Sequence, residues 1–353
     1  MASLVDIKPV DREFYETRLR EFLPERIIDI HTHVWLGERK PINRSVTWPG
    51  RVAKDNSIED LLETYRLMLP GKSVAPLIFS IPPGEAAADE ENRYVAESGA
   101  GHNVPALIFA MPSWSAEELE KRILAGGFVG VKAYLSVAPP YLPAAEIRIF
   151  DFLLPHHLEV LDRHGWIAML HVPRPGRLRD PVNLAQMLEI EQRYPNVKLI
   201  IAHVGRAYCE EDVGDAFEVL APTERMCFDF SANTNEAVFR KLIDAVGPKR
   251  ILFGSDMPIL RMRMRRICRD GRYVNLVPRG LYGDVSGDPN MGELDGEEAE
   301  RLTFFLYEEI DAFRRAAESE GLAQGDIEDD FHNNARALID SAGSATIGGS
   351  RMH

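Results

Sequence analysis

Cysteine is scarce in this chain. The three among 353 residues, Cys209, Cys227 and Cys268, are scattered and odd in number, which gives neither a disulfide framework nor the paired spacing of a zinc ribbon. Positive charge is also in deficit: 41 Lys and Arg face 55 Asp and Glu, a formal net charge of −14. That balance argues against nucleic acid or an anionic membrane surface as a partner, because binding phosphate needs net positive faces. No apolar run approaches the length needed to span a bilayer, and the first thirty residues are charged where a signal peptide would be apolar. A reducing cytoplasm is the default expectation. Internal repeats are absent, and the one biased segment is a Gly/Ser tail at 342–353, expected to be mobile.

What is present is enough apolar sequence, 45% of the residues, for a large core. Eight short apolar runs lie at 27–33, 74–81, 105–111, 128–135, 166–172, 197–204, 226–231 and 250–256. Helical patterns alternate with them: Ser57 to Leu69, about 85–98, Ala116 to Ala125, His156 to His164, Val182 to Tyr194, Asp212 to Leu220 and Glu236 to Val246. Short strands alternating with helices call for a parallel sheet with right-handed crossovers, and eight is the number that closes a barrel. The expected architecture is a single α/β domain over 27–341. A leader at 1–26 precedes it, with an amphipathic helix from Arg12 to Phe22. A long loop after the eighth strand leads to helices at about 297–320 and 326–341, the last of which closes the chain.

In such a barrel, chemistry sits at the carboxyl ends of the strands. The first run, Ile27 to Val34, carries Asp29, His31 and His33 at alternate positions, which in a regular strand share one face. Two imidazoles so spaced can reach one metal ion, although a half-buried histidine pair would look the same. Strand four ends in Lys132 and Tyr134, strand five in His171, strand six in His203 and strand eight in Asp256. Parity pairs Met169 with His171, Ile201 with His203, and Leu252 and Gly254 with Asp256. The remaining six histidines, at 102, 156, 157, 164, 332 and 353, read as surface or packing residues. The loops after strands five, six and eight are basic despite the acidic whole: Arg174, Arg177 and Arg179, then Arg206, then Arg261, Arg263, Arg265, Arg266 and Arg269. Bidentate arginines suit carboxylates, so a small anionic substrate is expected. Lys132, Tyr134, Arg174, Arg206 and Arg261 are candidate contacts, and Trp35 and Trp48 are candidates for the mouth.

The segments Ile28-Asp29-Ile30-His31-Thr32-His33, Leu170-His171-Val172, Ile201-Ala202-His203-Val204-Gly205 and Leu252-Phe253-Gly254-Ser255-Asp256-Met257-Pro258 together resemble the amidohydrolase superfamily. The resemblance is to the amidohydrolase-related branch that contains aminocarboxymuconate semialdehyde decarboxylase, and it runs from about residue 27 to Asn333-Asn334-Ala335-Arg336-Ala337-Leu338, similar to that branch's closing helix. It implies a distorted (β/α)8 (TIM) barrel with one divalent metal, zinc or alternatively manganese, held by His31, His33, His171 and Asp256. His203 matches the histidine beside the metal-bound water, and Asp256 would also accept that water's proton. A second metal bridged by a carboxylated Lys132 is the lesser expectation. Such a donor set leaves an open position at which water ionises near neutral pH, and Asp29 reads as a brace or as an orienter of a histidine. Hydrolysis of a lactone, amide or ester is the leading expectation, non-oxidative decarboxylation the alternative, and a non-catalytic ligand-binding barrel the third. A homodimer is expected by analogy.

Overall fold

The computed structural model describes residues 4–37, 51–82 and 87–343. Trp48, Arg39 and Arg44 of the loop after the first strand, and the tail beyond Gly343, lie outside the described residues. Eight parallel strands form the centre: β1 (Arg26–His33), β2 (Ser73–Phe79), β3 (Ile108–Phe109), β4 (Gly130–Ala133), β5 (Ile167–Leu170), β6 (Lys198–Ile201), β7 (Cys227–Asp229) and β8 (Ile251–Leu252). Strands β3 to β8 pair in chain order, and β1 pairs with β2. Isolated parallel bridges complete the ring, Ile78 to Ala106 on one side and Thr32 to Met257 on the other. Helices α1 (Pro9–Phe14), α2 (Ile58–Met68), α3 (Ala88–His102), α4 (Ala116–Gly126), α5 (Pro155–His164), α6 (Pro181–Arg193), α7 (Glu236–Val246), α8 (Phe305–Ser319) and α9 (Asn334–Gly343) accompany it.

Alternation along the strands builds two layers. Ile28, Leu77, Leu107, Ile167, Ile200 and Leu252 fill the barrel, and Leu338, Ile339 and Ala342 of α9 seal one end. The alternate positions Ile27, Ile78, Val131, Leu199 and Phe253 face outward into the layer under the helices. Each fully buried aliphatic side chain contributes on the order of 2 kcal/mol. The helices start where their caps dictate: the Ser57 hydroxyl accepts the Asp60 amide at 3.1 Å, Ser115 that of Glu118, and Asn235 that of Val238.

Four features depart from the sequence expectations. First, the pairing of β1 with β2 advances three residues, Asp29 to Thr32, against two, Pro76 to Ile78. This bulge changes the phase of the strand. Asp29 therefore shares the outward face of Ile27, where it meets Tyr65 of α2, and does not accompany His31 and His33. Second, the long loop after β8 contains a three-stranded sheet. In it β9 (Arg265–Arg269) and β10 (Arg272–Pro278) form an antiparallel hairpin, and β11 (Met291–Leu294) lies parallel to β10. Third, Cys209 and Cys268 are joined as a disulfide across 59 residues of sequence, their Cα atoms 5.8 Å apart. Distance along the chain hid a pair that only folding brings together. Fourth, several helices are shorter or broken. The leader helix is α1 followed by a π turn over Tyr15–Leu19, the expected 212–220 helix is reduced to Ala216–Leu220, and the closing helix is interrupted by a π turn at Asp329–Asn333.

The leader is tied to the barrel. Asp11, fully buried, accepts two hydrogen bonds from Arg263 at 2.6 and 2.9 Å and one from the Thr303 hydroxyl at 2.7 Å. Among the described residues no helix is long and apolar enough to cross a membrane.

Candidate metal centre

His31 and His33 end β1 inside the barrel, and what holds their rings defines the site. His31 Nδ1 lies 2.9 Å from a carboxylate oxygen of Asp229, and His33 Nδ1 lies 2.9 Å from the carbonyl of Ser80. Both partners are acceptors only, so each Nδ1 carries the proton and each Nε2 keeps its lone pair. His203 is arranged alike, its Nδ1 set 3.2 Å from the Ser231 carbonyl and 2.9 Å from the Ser231 hydroxyl. The free nitrogens converge on Asp256, whose Oδ1 lies 3.1 Å from His33 Nε2 and 3.6 Å from His31 Nε2. Ligand atoms of His31, His203 and Asp256 all fall within 4.8 Å of one another. A carboxylate oxygen facing imidazole lone pairs at such distances is a repulsive arrangement that a shared cation relieves. The donor set therefore fits a divalent metal.

Backbone conformation delivers two of these groups. β6 ends at Ile201, which faces outward, so parity alone would turn His203 away from the site. His203 instead adopts φ +57°, and Val204, Gly205 and Arg206 follow it into the left-handed region. Asp256, beyond the end of β8, has φ +53°. Such conformations cost energy in non-glycine residues and are kept where the surroundings impose them. Gly254 makes room, since a Cβ there would lie 2.8 Å from that of His31.

Burial governs the charges. It pushes the His31 imidazolium down to about 3, helped by Lys132 and opposed by Asp229, and it likewise holds His171 and His203 below the usual histidine range. For Asp256, burial alone would raise the carboxyl, but the surrounding imidazoles, His33 first and then His203 and His31, outweigh it, and it stays ionised. Asp229 is held down in the same way against its burial by His31 and Ser231. Asp29, buried against Tyr65 and the Ser255 amide, moves up to about 7. Lys132 is fully buried, its ammonium 3.1 Å from His31 Nε2 and 4.8 Å above the ring of Phe79, and burial lowers it to about 8.

The other expected residues fall into two groups. His171 lies beside the centre, its ring 5.3 Å from that of His203 and 4.2 Å from that of Tyr134, but it is not within the His31, His203 and Asp256 cluster. Its Nδ1 is buried without a hydrogen-bond partner among the described residues, which leaves it available to a ligand. Among the described residues Arg206 meets only the carbonyls of Val172 and Arg174, at 3.3 Å, and its charge is felt at His171 and Tyr134. Elsewhere the expectation fails because the side chain is already committed. Arg174 is paired with Asp180 at 2.9 Å, and Arg261 is buried against the Asn56 side chain. Trp35 is fully buried with its indole N–H on the Lys54 carbonyl, so it packs and does not line a mouth. Sequence reasoning missed Asp229 and Ser231, although Phe228-Asp229-Phe230-Ser231 shows two polar residues at alternate positions closing an apolar run. A cavity of about 600 Å³ involving Arg163, Lys198, Arg225 and Leu338 contains none of the residues gathered here.

The amidohydrolase family model matches residues 28–266, which take in most of β1 and all of β2 to β8. The chain belongs to the amidohydrolase family. Solved structures share its fold at low identity. An amidohydrolase from Burkholderia multivorans with bound zinc is 16% identical, with a TM-score of 0.57 over 89% of this chain and 99% of the other. A probable 2-pyrone-4,6-dicarboxylic acid hydrolase from Acinetobacter baumannii with citric acid bound is 14% identical, with a TM-score of 0.55 over 89% and 99%. A 2,6-dihydroxybenzoate decarboxylase from Rhizobium is 15% identical, with a TM-score of 0.54 over 90% and 99%. No curated relative matches the chain.

Proposed function

We propose that the protein is a metal-dependent hydrolase of a small carboxylate-bearing lactone, amide or ester. The observation that carries this reading is the convergence of the unprotonated nitrogens of His31, His33 and His203 on the ionised Asp256, next to an arginine, Arg206, that is ion-paired to no carboxylate among the described residues. His31, His33 and Asp256 would hold the metal, with His171 turning toward it through its unsatisfied ring, and zinc or manganese would suit the donors. When bound, the ion supplies Lewis acidity, lowering the pKa of water and polarising a carbonyl. Asp256 accepts the proton that an attacking water gives up, which its ionised state allows. His203, neutral and fixed by Ser231 through Nδ1, offers its Nε2 lone pair to that water and so orients it. Arg206 receives the substrate carboxylate, and Lys132 offsets the charge of Asp256 and Asp229.

The family includes decarboxylation chemistry, and the same groups could protonate a carbon while carbon dioxide leaves. Zinc- and manganese-loaded protein assayed with a pH indicator across carboxylate-bearing lactones, amides and esters, beside carbon dioxide release across aromatic acids, separates the two. Acid release is expected, and carbon dioxide release alone would overturn hydrolysis. Arg206→Ala should raise KM about 10- to 100-fold for a carboxylate substrate, as loss of one charge-assisted bond requires, and leave a neutral ester analogue unaffected.

A further inference from the structure

The β9–β10 hairpin meets α8 through Arg265, paired with Glu308 at 3.4 Å, and through Arg266 over the Phe305 ring, and it meets the segment after β6 at one small cluster. Cys268 sits directly across from Tyr273 in the hairpin register, and its disulfide partner Cys209 follows Tyr208 in the segment after β6. The two tyrosine rings meet edge to face with centroids 5.0 Å apart. Arg177 stacks on both rings at 5.3 and 5.1 Å, and Arg266 on both at 4.6 and 4.7 Å. Asp212 ties this cluster together, accepting from Arg177 at 2.6 Å and from the Cys209 amide at 2.9 Å. From the hairpin, Arg266 reaches the carbonyl of Ala232, the residue after the Ser231 that fixes His203. Burial holds the Tyr134 hydroxyl above its usual range, and Tyr273 of the hairpin adds to that effect. The hairpin is thus joined covalently at one point and reaches the edge of the metal centre from there.

We propose that the Cys209–Cys268 disulfide is a redox-controlled clamp that seats the β9–β10 hairpin beside the metal centre and so sets how tightly an anionic substrate is held, without taking part in the chemistry. The inference rests on the substrate class proposed above. A small hairpin extended by one further strand has little stability of its own, so its position depends on what anchors it. Cys268 is exposed and Cys209 buried, which fixes the order of reduction. A thiolate of an external dithiol attacks Cys268 Sγ, the S–S bond breaks, and the electron pair leaves on Cys209, which takes up a proton. The second thiol of the reagent then displaces Cys268, so two electrons and two protons pass to the protein and the dithiol departs as its disulfide. Cys227 does not compete, because burial pushes its thiol up to about 12.

The test uses the full chain with dithiothreitol. In a non-reducing tryptic digest of air-oxidised protein, the peptides bearing Cys209 and Cys268 should migrate as one mass, and separate peptides would overturn the proposal. Limited trypsinolysis at the exposed Arg265, Arg269 and Arg272 should be about tenfold faster after reduction and in Cys268→Ser, as expected when a local opening becomes cheaper. Unchanged cleavage would refute the clamp whether or not any substrate has been found, so this arm fails independently of the proposed function. With a turned-over carboxylate substrate, reduction or Cys268→Ser should raise KM about five- to tenfold with kcat within about twofold, and reoxidation should restore only the wild-type protein. A lower melting temperature with unchanged KM would make the bond a structural staple and end the argument.

Discussion

Replacing Asp229 by Asn tests the construction of the centre at its most informative point. The carboxylate accepts from His31 Nδ1 at 2.9 Å, from the His203 amide at 2.8 Å and from the Ser231 amide at 3.2 Å, all without exposure to solvent. An Asn oxygen can keep the two bonds from the amides, both of which fall on Oδ1. Its NH2 group, however, then meets the His31 Nδ1–H, donor against donor. The ring is relieved by moving its proton to Nε2, which removes the lone pair that a metal would need. Losing such an orienting partner costs about 10- to 100-fold in metal affinity, or roughly 1.4 to 2.7 kcal/mol. Competition with a chromogenic chelator would measure the affinity, and nitrogen NMR of the histidine rings would report the tautomer. Affinity within twofold of the parent, with Nδ1 of His31 still protonated, would refute the idea that Asp229 dictates which nitrogen faces the metal.

Substitutions around two further buried carboxylates probe the scaffold. Asp11→Ala strands the buried guanidinium of Arg263, and by the usual cost of breaking a buried ion pair it should lower stability by about 3–5 kcal/mol, measured by urea melts. Arg263→Met on the same background should recover part of the loss, and an unchanged midpoint in Asp11→Ala would show that the leader adds nothing. Asp330 is buried, with neither carboxylate oxygen hydrogen-bonded among the described residues, and burial, then Asp326 and Asp329, raise it well above the ordinary range. Its folded pKa therefore exceeds its unfolded one, so the folded protein retains a proton that the unfolded chain releases. Stability falls as pH rises from the unfolded value through the folded value. Asp330→Asn should accordingly match the parent near pH 4 and exceed it by about 1 kcal/mol or more at pH 8, and parallel pH profiles for the two proteins would count against this account.

The residues at the strand ends were readable in advance because a barrel sends its active groups there. Lys132, His171 and the inward-facing Met169 and Leu252 obey simple alternation, and the Ser57 cap set the start of α2 as its side-chain chemistry requires. His203 and Asp29 did not obey it. One is turned inward by a left-handed backbone, the other outward by a bulge, and neither device has a local sequence signature strong enough to override a period of two. The arginines show a different limit. Composition announced a basic rim, but whether a guanidinium is free depends on which carboxylate folding places beside it. Arg174, Arg177, Arg263 and Arg265 each acquire one.

The sequence by itself determined the barrel and the kinds of donor at its carboxyl end, because hydrophobic period and residue chemistry are local properties of the chain. Tertiary structure alone decided which nitrogen each histidine offers, which arginines acquire a carboxylate, and that Cys209 should meet Cys268. Those outcomes depend on groups tens to hundreds of residues apart, and their hydrogen bonds and charges exist only once the ring of strands has closed.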